Sequence, residues 1–171
     1  SGDDQRAWKV FSTDHKPSDK AKQEAGELAD RDTVPVHWAV PVSGSAGTGD
    51  FWAFFPLGDK TTVSGILNAP WKTNDDRTTL MTGPFNTELL EGGGDLIVRH
   101  RPDTAGDDDP GRALDVMPSR PRESLGDSDF TLTRMVWKRA AGQPSVPDQS
   151  GTFQKPEDLA LHPEYVPTGV L

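Results

Sequence analysis

The stretch VPVHWAVPV, residues 34–42, decides the fold class, because Val34, Val36, Trp38, Val40 and Val42 alternate with other residues without a miss. An apolar side chain at every second position is the signature of a strand with one buried face. Pro35 and Pro41 fall on the opposite face. Proline cannot donate to a ladder, so the strand is expected at a sheet edge, or pairing on one side only where the prolines stand.

Downstream, SGSAGTGD (43–50) reads as a glycine-rich connection and FWAFFP (51–56) as a short apolar strand. Gly58-Asp59-Lys60 reads as a turn and residues 61–68 as the returning strand, which together predict a three-stranded antiparallel meander. Upstream, WKVF (8–11) is a further strand, and Ala21, Ala25 and Leu28 mark a surface helix over 18–30.

Beyond the meander, Thr73 and Asp76 have the spacing of a capping box, with Asp75 and Asp76 suited to the positive end of a helix dipole. A short helix is therefore expected from Thr73 to Gly83-Pro84. A second helix should open at Pro84 and carry Phe85, Leu89, Leu90, Leu96, Ile97 and His100. Gly92 to Gly94 interrupt it, and three interior glycines cost roughly 3 kcal/mol against alanines, so either tertiary packing overrides propensity or the helix breaks there. Residues 103–111 read as a solvated acidic loop and 113–118 as a short apolar anchor. Ser128 is the expected cap of an amphipathic helix bearing Leu132, Met135, Val136 and Ala140. Residues 146–153 read as two short extended pieces around a turn, 156–160 as a helical turn, and 163–171 as a tail. The organisation implied is one domain over 1–162, its core in 8–100 and a looser part in 113–162, of mixed α/β (α+β) class with an antiparallel-rich sheet and helices on one face.

The chain of 171 residues holds 18 Lys and Arg against 27 Asp and Glu, a net charge of −9, which disfavours bulk attraction to nucleic acid or to an anionic membrane. No apolar run approaches the ~18–20 residues of a bilayer-crossing helix. The absence of cysteine excludes disulfides and thiolate chemistry and agrees with a reducing, cytoplasmic setting. Ser1-Gly2 suggests an excised piece of a longer polypeptide.

Most candidate chemistry has a plain structural reading. The glycines at 44–49 lack the Lys-Ser/Thr of a phosphate loop and lead into a strand. His15, His37, His100 and His162 are scattered singly, without metal-ligand spacing. Asp107 to Asp109 lack the alternating oxygen ligands of a calcium loop, and Arg120 and Arg122 read as surface residues. The stretch from Gly65 to Arg77 is different. An arginine in a first helical turn runs against the dipole unless something negative is close. Either Asp75 or Asp76 pairs with Arg77, or an external phosphate is met by Lys72 and Arg77 together.

The segments FWAFFPL, SGILNAPWKTNDDRTTL and GPFNTELL resemble the region that follows the nucleotide-binding domain in sacsin-like members of the GHKL ATPase superfamily. The ninety-kilodalton heat-shock chaperones have a similar strand, an Asn-containing turn and an arginine at the opening of a helix. The resemblance covers about residues 33–91, and VPDQSGTFQKPEDL (146–159) more loosely. It implies the fold of a middle, transducer-like domain. By it, Arg77 reaches the γ-phosphate of ATP held by an upstream domain, with Lys72 a neighbour lacking a firm counterpart. The ATP-binding motifs of the family, a Glu/Asn on the first helix, Asp-x-Gly and the glycine-rich lid, are not in this sequence. ATP and Mg would thus be held only by the ATP-binding domain of the same polypeptide, the principal partner implied, beside a protein client or a second copy.

Two other readings stand beside this one. Trp38, Phe51, Trp52, Phe54, Phe55 and Trp71 are many large aromatics for one meander, which suggests an interaction module with part of the set exposed. A stand-alone hydrolase would need a spatially assembled His, carboxylate and hydroxyl.

Overall fold

The computed structural model describes residues 7–43, 47–106 and 109–160. Gly44, Ser45 and Ala46, Asp107, Asp108, His162, the N-terminal Ser1-Gly2 and the expected tail lie outside the described residues.

The alternation at residues 34–42 produces β2 (Val34–Pro41), in which Val34, Val36, Trp38 and Val40 are buried. The Trp38 indole is satisfied by donating to the Ser64 carbonyl at 3.0 Å. β1 (Trp8–His15) runs antiparallel to β2 along its whole length, from Trp8 opposite Pro41 to His15 opposite Val34. The strand expected at 8–11 therefore reaches four residues further. Ser12, Thr13 and Asp14 look like turn residues in isolation, but each lies opposite a residue of β2, and Ser12 Oγ meets His37 Nδ1 at 2.8 Å.

On its other side β2 pairs with β5 (Ile66–Asn68), only from His37 to Ala39. β2 is thus an interior strand, and its prolines sit beyond the short β5 ladder, where no partner needs their missing N–H. β3 (Gly49–Trp52) and β4 (Pro56–Thr61) complete a five-stranded sheet in the order β1-β2-β5-β3-β4. The expected meander is corrected in two respects. The reversal lies at residues 53–55, with Phe54 at φ 66°, while Gly58-Asp59-Lys60 is inside β4, where Lys60 stands opposite Asp50. β5 does not return beside β4 but slots between β2 and β3, parallel to β3, with Phe51 opposite Leu67. Two glycines permit that insertion: a Cβ at Gly49 would lie 2.2 Å from the Val63 carbonyl oxygen, and one at Gly65 2.2 Å from that of Ala39.

Phe11, Trp38, Leu67 and Phe51 form a row across the sheet on the face covered by helices. Trp8 and Val10, on the opposite face, are exposed. The expected helix at 18–30 is shorter: α1 (Asp19–Glu24), capped by Ser18 Oγ accepting from the Ala21 amide, gives way to one 3-10 turn, because Gly26 adopts φ 58°. α2 (Pro84–His100) runs unbroken through Gly92 to Gly94. Of the two alternatives at the glycines, packing overrides propensity. A Cβ at Gly93 would come within 2.9 Å of the Leu67 side chain, and one at Gly94 within 3.4 Å of Met135, so these two glycines let α2 lie close to the sheet and to the last helix.

α3 (Arg112–Asp115) is one turn, anchored by buried Ala113, Val116 and Met117. α4 (Asp127–Ala140) buries Leu132, Val136 and Ala140, as the sequence predicts, but it follows Gly126 and Ser128 does not cap it. Asp129, in its first turn, instead accepts from the Leu125 amide at 2.9 Å, the Thr61 hydroxyl at 2.8 Å and the Thr62 amide at 2.9 Å. One buried carboxylate thereby ties α4 to β4. β6 (Val146–Pro147) and β7 (Phe153–Gln154) form the small hairpin expected at 146–153, and Pro156–Asp158 the expected turn. The fold is α+β, a mostly antiparallel sheet with helices packed on it. Among the described residues no helix is long and apolar enough to cross a membrane.

Candidate functional site

No helix begins at Thr73. Residues 69–83 form a loop that doubles back on itself, with Thr73 bridged to Leu80 and the Met81 amide donating to the Lys72 carbonyl at 2.9 Å. The expectation fails because Asn74, between the two presumed capping residues, closes a turn instead. Its carbonyl accepts the Arg77 amide at 2.9 Å, and its side-chain oxygen accepts the Thr78 and Thr79 amides at 2.9 and 3.1 Å. Tertiary bonds hold the loop down: Gly58 and Asp59 donate to the Thr78 carbonyl, and Asp59 Oδ2 accepts the Leu80 amide. Asn74 and the Thr78 carbonyl thus fix the backbone of the turn, while the Asp75, Asp76 and Arg77 side chains stay exposed.

At its tip Arg77 is exposed, has φ 54° and makes no ion pair among the described residues, so neither Asp75 nor Asp76 neutralises it. Positive φ in a residue with a Cβ is unfavourable, and persists only where the surroundings over-determine it. Lys72 is half-buried and its ammonium donates to the Glu24 carbonyl behind α1. That contact ties up one of its three donors at the base of the loop, five residues before the tip.

Asn86, 3% exposed, is the residue that the sequence did not single out. Its Nδ2 donates to the carbonyls of both Lys72 and Met81 at 2.7 Å, clamping the two ends of the loop to α2. The available signal was an asparagine within the apolar stripe of Phe85, Leu89 and Leu90. Around this base lie three clefts of about 200, 400 and 310 Å³, all lined by Thr82, with Lys72 in one and Thr79 in another.

The histidines have separate partners. His37 meets Ser12, and His100 meets Asp103 at 2.9 Å while stacking on Phe11. His15 Nε2 meets Glu88 at 3.1 Å, and Glu88 also accepts from the amide and hydroxyl of Ser18. Burial works to raise the Glu88 pKa, but the Ser18 hydroxyl and amide, with His15, outweigh it and hold the carboxyl below its ordinary value. This is a His, a carboxylate and a hydroxyl in one place. The order is Ser18–Glu88–His15, however, so the hydroxyl faces the carboxylate and caps α1 rather than meeting the imidazole, as a nucleophile relay requires. Among the described residues no group of three His, Asp or Glu is placed to hold a metal. Arg120 and Arg122 both pair with Glu123, at 3.0 and 3.7 Å.

Of the six aromatics around the sheet, Trp38, Phe51 and Trp71 are buried, with Phe51 and Trp71 edge-to-face at 5.8 Å. Trp52 is half-buried. Phe54 and Phe55, at the β3–β4 reversal, are 67% and 74% exposed.

Fold and site together define an α+β domain that displays one arginine on a braced turn. Compared with protein-family models, curated proteins and solved structures, the chain matches none of them.

Proposed function

We propose that this chain is the middle domain of a larger sacsin-like or heat-shock-chaperone-like ATPase, acting in the cytoplasm. It couples ATP turnover in an upstream domain to contacts with a client, with other domains or with a second copy. The observation that carries the reading is Arg77: exposed, without an ion pair among the described residues, and fixed at φ 54° by the Asn74 turn. Phosphoryl transfer depends on positive charge positioned at the γ-phosphate, and an arginine supplied from outside the nucleotide site contributes ~10³–10⁵ in rate. Such a residue must be presented from a fixed position and not already be neutralised; the Asn74 turn holding the Arg77 backbone, and the lack of an ion pair among the described residues, support the reading. ATP and Mg are bound by the upstream domain, and Lys72 takes part as a support of the loop. In the full-length polypeptide, Arg77→Ala is expected to lower ATP turnover by at least a hundredfold with nucleotide affinity little changed. Turnover within about twofold of the unsubstituted protein would remove the coupling role.

A second reading, a non-catalytic protein-interaction module, is favoured by one observation: two adjacent phenylalanines exposed at 67% and 74%. Serine at both positions should abolish binding of an apolar-surface dye and any partner capture, while Arg77→Ala leaves both intact.

A further inference from the structure

Arg101 directly follows α2 and is 2% exposed, yet its Nε and Nη2 have no hydrogen-bond acceptor among the described residues. The carboxylate closest in sequence, Asp103, is engaged with His100, and no salt bridge to Arg101 forms among the described residues. The ring of Phe153, from β7, lies 5.8 Å from the guanidinium carbon and supplies only a cation–π contact. Burial pulls the Arg101 pKa down to about 10. A buried cation without a counter-charge is among the costliest arrangements in a protein interior, and the negative end of α2 offsets only part of it.

The identity of the two unsatisfied nitrogens is informative. Nε and Nη2 form one edge of the guanidinium, with N–H bonds running parallel at the spacing of two oxygens on one carbon or phosphorus atom. We infer that this edge of Arg101 binds a small oxyanion of the phosphate or carboxylate type, admitted beneath the β6–β7 hairpin. The hairpin suits a movable cover. It has two residues per strand, too few to be stable alone, and it reaches the guanidinium through Phe153. The enclosure of Arg101 restricts the occupant to an ion or a slender terminal group.

The test titrates the full chain with sodium phosphate and, separately, sodium acetate at constant ionic strength, following thermal unfolding. Sodium chloride serves as the control. A saturable rise of roughly 5–10 °C at a hundredfold excess over Kd is expected from one of the two anions, and that anion identifies the source of the oxygens. The rise should vanish in Arg101→Met and persist, weakened, in Arg101→Lys. Equal shifts in the unsubstituted chain and Arg101→Met, or none with either anion, overturn the inference. Should Arg101→Met fail to fold, the Arg101 Nε–H resonance of the unsubstituted chain decides: saturable movement with phosphate or acetate but not with chloride supports the site, and an unmoved resonance overturns it.

Discussion

Asn86 brackets Lys72: its Oδ1 accepts the Lys72 amide at 2.9 Å while its Nδ2 donates to the Lys72 carbonyl at 2.7 Å. One buried side chain of α2 thus replaces a strand partner for the loop that carries Arg77. Asn86→Leu keeps the volume but leaves the Lys72 amide and the Met81 carbonyl without that partner. We expect a loss of about 2–4 kcal/mol in urea unfolding. Faster amide exchange should appear at Thr78 and Met81 before the sheet is affected.

Arg77 offers a separation of stability from function. Glycine occupies its backbone conformation, φ 54°, without a Cβ penalty. Arg77→Gly should therefore raise stability by ~1 kcal/mol, whereas Arg77→Ala should not. A domain that becomes more stable as the full-length protein loses ATP turnover would mark the position as one held against its own preference. Equal stability of the two variants would show that the turn imposes no strain.

The glycines of α2 should respond in opposite directions. At Gly92 the nearest atom to an added Cβ is His15 Nδ1 at 3.7 Å, an ordinary contact, so Gly92→Ala should stabilise by up to ~1 kcal/mol through helix propensity. At Gly93 the Leu67 side chain is 2.9 Å away, and Gly93→Val should destabilise by ~1–3 kcal/mol. Thermal unfolding of the two variants checks the pair.

Glu88 sets an acid limit. Its carboxyl is held below the ordinary value in the folded state, so its contribution is complete above pH 4.5 and is lost as the pH falls through the lower folded value. The urea midpoint of the unsubstituted protein should fall more steeply between about pH 5 and pH 3 than that of Glu88→Gln. Parallel pH profiles would show that the Ser18 and His15 contacts carry no net stabilisation.

Local patterning predicted the elements better than their arrangement. β2 was legible because alternation at residues 34–42 has one physical explanation, and the apolar face of α4 because 3.6-residue spacing has another. The strand order was not, since nothing within 61–68 says that β5 pairs with β2 and β3 instead of β4. The sequence leaves the glycine run open between a break and a continuous helix because helix propensity is local, while the close approach to Leu67 and Met135 is not. At the candidate site the loop's geometry is not legible in the sequence: Asp75 and Asp76 suit a helix start and a solvent-facing turn equally, and the bonds from Gly58 and Asp59 decide between them. Arg101 left no trace in the sequence, because a lone arginine after a helix gives no sign of its burial.

The placement of β5 has a kinetic consequence. β3 and β4 are neighbours along the chain and can join early, and β1 and β2 can join across a modest loop, but β2 and β3 never touch as strands. The sheet is continuous only once three residues, Ile66–Asn68, have threaded between them and α2 has settled on Leu67. Such late, non-local closure slows folding and leaves two unfinished sheet edges exposed while the chain waits. The shortest full ladder member in the sheet therefore sets when this domain ceases to be two pieces and becomes one.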